Sequence, residues 1–180
     1  LGSDKGITHY GGVETVAKVR QKDSLTVDMV DVLWVKGSGG DGGSIKMDGF
    51  STLYMDKLNA LRGIYRGVEF EDEMVAYLPH CTFNLNPRAA SIDTPLHAYV
   101  PQKHVDHMHP DAIIAIAAAK DSKKLTRQIF GESIGWLPGT KPRYELGFWL
   151  AASCPPNHDC LLYTHAAADD LSRSHYDALV

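Results

Sequence analysis

Ser91-Ile-Asp-Thr-Pro-Leu-His-Ala-Tyr-Val-Pro-Gln-Lys-His-Val-Asp-His-Met-His-Pro-Asp-Ala-Ile-Ile-Ala-Ile-Ala-Ala-Ala119 is the stretch that decides the fold. Thr94-Pro95 pairs a helix N-cap residue with proline at the first helical position, which opens a short helix through Leu96, Ala98 and Tyr99. After Pro101, residues 104–109 read as a strand. Pro110-Asp111 then starts a second helix over 112–119. Strands that alternate with helices in this way place the chain in the α/β or α+β class.

Working outward, residues 31–36 form a β-branched and aromatic run that stops at Gly37, a strand followed by the glycine-rich loop 37–43. From Asp48 onward Phe50, Leu53, Tyr54, Leu58, Leu61 and Ile64 recur at helical spacing, which predicts a helix with one buried face. Upstream, Val16, Ala17 and Val19 suit a loop leading into a short strand. Residues 77–91 read as an extended loop and 125–130 as helical. A loop is expected over 136–143, a helix over 145–152 and a last strand over 161–164, with His165 at its end.

Composition bounds the function. The chain has 180 residues, 44% hydrophobic and 22% charged, with 18 Lys plus Arg against 22 Asp plus Glu. That balance gives a net charge of −4 and a pI near 6.1, so neither disorder nor general nucleic-acid binding is expected. Residues 112–119 are the longest apolar run, too short for a membrane span, and no signal peptide opens the chain. Cys81, Cys154 and Cys160 lack metal-site or disulfide spacing and read as small hydrophobes in a cytoplasmic protein.

Histidine carries the chemistry. His107 and His109 stand two apart in the expected strand, so both imidazoles leave the same face and can converge on one divalent ion. His104 and Asp106 point to the other face. Such a pair also occurs without an ion, and the preceding element adds to it: Ser91-Ile92-Asp93 sits at a helix start, where a carboxylate is favoured and free backbone N–H groups can hold an anion. Asp93 is the candidate general acid/base. The loop 37–43 lacks the Lys-Ser/Thr ending of a P-loop and the spacing of a dinucleotide fingerprint, so no NAD is expected, although Ser38 and its neighbours suit an anion cradle. His80 and His97 read as hydrogen-bonded or packing residues.

The runs VLWVKGSGGD, GFSTLYMDKL, YRGVEFEDEMV, YLPHCTFNLNPRAASIDTPLHAYVP and HVDHMHPDAIIAIAAAKDS resemble the class II, metal-dependent aldolase family, a resemblance that extends over about residues 31–150. Within it they are most similar to the aldolase half of bifunctional rhamnulose-1-phosphate aldolase/alcohol dehydrogenase proteins. The resemblance implies an α/β, three-layer fold with a central, mostly antiparallel sheet flanked by helices. It also implies a zinc or similar divalent ion on three histidines, two of them His107 and His109, with Asp93 as the acid/base. The substrate phosphate would sit in the Ser38-Gly39 turn and the Ser91 turn. The implied chemistry is cleavage or formation of a carbon–carbon bond in a phosphorylated ketose, through an enediolate stabilised by the ion.

Two positions depart from the family pattern. Glu14 stands where the family carries an Asn-x-Ser-type stretch, and a carboxylate there would repel a phosphate. The third histidine falls on His165, without the family's following glycine, with His158 and His175 as the alternatives. The expectation is a single domain over 1–180, or a portion of a longer protein, that assembles as a homo-oligomer, a tetramer by resemblance. A non-catalytic, adducin-like member and a sugar-phosphate epimerase are the rival readings on the same fold.

Overall fold

Val16, Leu33, Val35, Leu53 and Val105 are all buried in one apolar cluster, and the strands that carry them build the framework. The computed structural model describes residues 2–4, 13–138, 144–153, 160–164 and 176–179, the last two segments as backbone strands. Strand β1 (Glu14–Lys22) pairs antiparallel with β2 (Met29–Lys36), and β2 with β3 (Phe50–Tyr54). On its other side β1 pairs antiparallel with β4 (His104–Met108). With β5 (Ile134–Leu137), β6 (Cys160–Thr164) and β7 (Tyr176–Leu179), the described strands form one sheet in the order β3-β2-β1-β4-β7-β6-β5. Only the β5–β6 pair is parallel among them. The fold is therefore α/β with a mostly antiparallel sheet, as the resemblance implied.

Period-2 alternation sorts the side chains of this sheet. Val16 pairs with Val35 and with Val105, and Glu14 pairs with His107 two residues along. Glu14 and His107 therefore project from the same face as the apolar cluster. His104 and Asp106 leave the opposite face, as expected, and line an open groove there with Trp34 and Phe50.

Helices α1 (Met55–Leu61), α2 (Glu71–Ala76), α3 (Thr94–Tyr99) and α6 (Tyr144–Ser153) supply the other half of the core. Leu58, Leu96, Leu146 and Leu150 are at most 1% exposed, each worth about 1.5–3 kcal/mol of burial. Helix α6 packs closely on α3 at Gly147, where a Cβ would come 2.8 Å from the Pro95 carbonyl oxygen. Tyr99 stacks on Phe148 with ring centroids 5.1 Å apart, and the Tyr99 hydroxyl donates to the Leu58 carbonyl at 2.9 Å. These contacts hold α3 between α1 and α6. Helices α4 (Asp111–Ala118) and α5 (Ser122–Phe130) pack on one another and against β5–β7.

Three expectations are corrected. Residues 50–54 form β3, and only Met55–Leu61 is α-helical, because ladder pairing to β2 from Phe50–Lys36 to Tyr54–Val32 outweighs the helical spacing. The supposed loop from Trp136 begins inside β5, which β6 extends by parallel pairing. Residues 77–91 are not wholly extended, since Leu78–Cys81 make a 3-10 turn. Strand β7 lay outside the sequence reading altogether. Among the described residues no helix is long and apolar enough to cross a membrane.

Candidate metal centre

The site forms where β1 and β4 run side by side beneath α3. Glu14 and His107 are cross-strand partners, and His97 comes down on them from α3. All three are buried: Glu14 is 6%, His97 0% and His107 3% exposed. His97 Nε2 lies 3.2 Å from His107 Nδ1, a hydrogen bond between two imidazoles. On the other side of the same ring, His97 Nδ1 stands 3.2 Å from Glu14 Oε2. The ring of His109 lies 5.0 Å from that of His107 at an interplanar angle of 26°, so the His-x-His pair does present two nearly parallel imidazoles together.

Asp93 is the residue before α3 and joins this cluster electrostatically. Its backbone N–H donates to Ser91 Oγ at 3.2 Å, and Thr94 closes the turn through its N–H and hydroxyl to the Ser91 carbonyl, at 3.1 and 2.6 Å. Burial pushes the Glu14 carboxyl up to about 7, and the Asp93 carboxylate adds to the rise. His107, a hydrogen bond to Ser91 and Lys36 oppose it. Lys36 is itself buried and donates to the Gly40 carbonyl at 2.9 Å, so one cation sits at the root of the glycine loop.

The anion-cradle expectation concerns two turns, and the backbone brings them side by side. Gly37 forms a β-bridge with Ala90, and the Ser38 N–H donates to the Ala89 carbonyl at 2.9 Å. Ser38-Gly39 therefore adjoins the Ser91 turn, with Gly39 at φ 73°, where a side chain would be strained. Of the residues singled out by sequence, Ser91, Asp93, His107 and His109 gather at the site, and Ser38 and Gly39 lie next to it. His165, with His158 and His175, lies outside the described residues. Two members were not counted as site residues: Glu14, expected to disturb a phosphate, lies beside His97 as well as against the Ser91 turn, and His97, expected to be a hydrogen-bonded histidine, is bonded to His107 itself. The visible signal for His97 was its place four residues after Asp93, one helical turn along the same face.

Glu14, His97 and His107 offer one carboxylate oxygen and two imidazole nitrogens within 4.8 Å of one another, a donor set that fits a divalent ion. The 3.2 Å between the two imidazole nitrogens is also close to the edge of a tetrahedral zinc site, about 3.4 Å for bonds of 2.0–2.1 Å.

The comparisons with known proteins bear on the fold. No family model matches the chain. A Bacillus subtilis protein named uncharacterized oxidoreductase YuxG is 39% identical over 157 residues, which cover 87% of this chain and 22% of that protein. The chain thus spans about a fifth of that relative's length. The solved N-terminal class II aldolase domain of a conserved protein from Thermoplasma acidophilum superposes with a TM-score of 0.84 at 27% identity, covering 100% of this chain and 78% of that one. An L-fuculose 1-phosphate aldolase superposes with a TM-score of 0.54 at 12% identity, over 98% of this chain and 66% of that one, a likeness of fold. The chain has the fold of the class II aldolase superfamily, in line with the resemblance carried by its sequence.

Proposed function

We propose that this chain is a divalent-metal-dependent aldolase acting on a phosphorylated ketose of the rhamnulose 1-phosphate kind. His107 and His109 hold the ion and His165 completes the set. Asp93 is the acid/base, and the Ser38-Gly39 and Ser91 turns receive the phosphate. The observation that carries this reading is the His107–His109 ring pair, set beside Asp93 at the edge of a buried donor cluster. An ion used in catalysis needs an open coordination position for substrate. His109 is only half-buried, whereas an ion enclosed by Glu14, His97 and His107 would be shut away.

When bound, a divalent ion supplies Lewis-acid polarisation of a substrate carbonyl. The chain's own residues do the rest. Asp93, carried by a turn that the Ser91 and Thr94 hydrogen bonds hold, takes a proton from the substrate and returns it as the carbon–carbon bond is made or broken. The paired turns and Lys36 offer backbone N–H groups and one positive charge to a phosphate. Zinc is the first ion to test, because two or three imidazoles suit it.

Metal analysis of the purified protein supplied with zinc tests the site. Stoichiometric ion is expected in the wild type and its loss in both His107→Ala and His109→Ala. Retro-aldol assays with rhamnulose 1-phosphate and fuculose 1-phosphate test the reaction. Asp93→Asn should keep the ion and lower kcat by about 10²–10⁴-fold. A wild type without ion overturns the metal site, and a loaded protein inactive on both phosphates overturns the aldolase. A second reading, a non-catalytic adducin-like member, draws on the closed Glu14–His97–His107 group, which would suit a purely structural ion.

A further inference from the structure

We infer that Glu14 and His97 are positioning residues, a buried carboxylate–imidazole relay that orients His107 and turns its Nε2 toward the ion. This rests on the reading that His107 is a ligand. With Glu14 ionised, the contacts run in one direction. In its ionised form, which can only accept, Glu14 Oε2 at 3.2 Å from His97 Nδ1 favours the proton of His97 on Nδ1, a close approach rather than an aligned hydrogen bond. His97 Nε2 is then an acceptor, and at 3.2 Å it takes the Nδ1 proton of His107. A neutral His107 protonated at Nδ1 has its one remaining lone pair on Nε2, the form that binds a metal through that atom.

Packing leaves the relay little freedom. His97, Thr94 and Leu96 are all 0% exposed, and α6 closes on the Pro95 carbonyl at Gly147. Glu14 is held opposite His107 by the β1–β4 ladder. Both nitrogens of His97 thus face a protein partner, which suits a residue acting through His107 better than one binding an ion itself.

Chelator competition with zinc on the full chain gives the first readout, and X-ray absorption at the zinc edge the second. His97→Ala should weaken zinc binding about 10–100-fold, the usual cost of losing a partner behind a ligating histidine. His97→Gln places an amide oxygen near the position of Nε2, can accept the His107 proton, and should recover most of the loss. Glu14→Gln, whose amide can donate as well as accept, should fall between them. The imidazole count at zinc should be the same in the wild type and in His97→Gln. Wild-type affinity in both Glu14→Gln and His97→Ala overturns the relay, as does one imidazole fewer in His97→Gln, which would make His97 a ligand. Should His97→Ala not fold, the other two variants decide. If zinc binds and is lost in His109→Ala while the relay variants bind as wild type, only this inference fails. If the wild type binds no zinc, the aldolase reading fails and the relay with it.

Discussion

Asp23 shows how much one side chain can hold in this sheet. It closes the turn between β1 and β2, its Oδ1 accepting the Leu25 and Thr26 N–H groups at 2.7 and 3.0 Å, while its other oxygen accepts the Tyr54 hydroxyl from β3. The Tyr54 bond, then those from Thr26 and Leu25, hold the Asp23 carboxyl below its usual range. A carboxyl with a depressed folded pKa lends stability above its unfolded value of about 3.9, and that stability is lost as pH falls through the folded value. Urea midpoints measured between pH 7 and pH 2 should therefore show Asp23→Asn clearly less stable at neutral pH, the gap to the wild type closing on acidification. A gap that stays constant with pH would remove the linkage. At this same scale, His107 and His109 were legible because a two-residue spacing in a strand is local information. Glu14 was read as a hindrance, and His97 without a role, because their meeting depends on the β1–β4 register and on where α3 lands. Neither is written near either residue.

Helix α6 (Tyr144–Ser153) receives partners for its first N–H groups from another element. The buried Glu71, at the start of α2, accepts the Tyr144 and Glu145 N–H groups with its two oxygens, each at 3.1 Å, and the Tyr65 hydroxyl at 2.9 Å. A carboxylate at a helix N-terminus satisfies free donors and meets the positive end of the helix dipole. Tyr144 adds a hydrogen bond from its hydroxyl to the Met74 carbonyl at 3.0 Å, tying α6 to α2 a second time. Glu71→Ala should cost about 1–3 kcal/mol, the range for leaving buried donors unmet, and lower Tm by about 2–12 °C at 2–4 °C per kcal/mol. Calorimetry of the variant checks this, and an unchanged Tm would show that water replaces the cap. Elements with their own punctuation were readable from sequence: the Thr94-Pro95 start of α3, the stop of β2 before Gly37, the Pro110-Asp111 start of α4. Residues 50–54 were not, since a short apolar run fits either period and only the Val32–Tyr54 to Lys36–Phe50 ladder selects the strand.

For the whole molecule, the site joins β1 to α3 and β4, which lie far along the sequence from it, so ion binding and folding should be coupled. An ion that binds the folded chain and not the unfolded one adds RT ln(1 + [L]/Kd), about 2.7 kcal/mol at one hundred times Kd. For a domain of this size, that corresponds to a Tm rise of about 5–10 °C. Thermal unfolding with and without zinc should show this rise in the wild type and none in His107→Ala. His109→Ala is the more informative variant, because His109 lies at the edge of the cluster and outside the Glu14–His97–His107 group. With the ion on the open His107–His109 side, His109→Ala abolishes the rise. With the ion enclosed by Glu14, His97 and His107, the rise survives His109→Ala and disappears in Glu14→Gln. Two placements of one charge, a few ångströms apart on either side of His107, thus separate an aldolase centre from a structural ion by their effect on the stability of the entire fold.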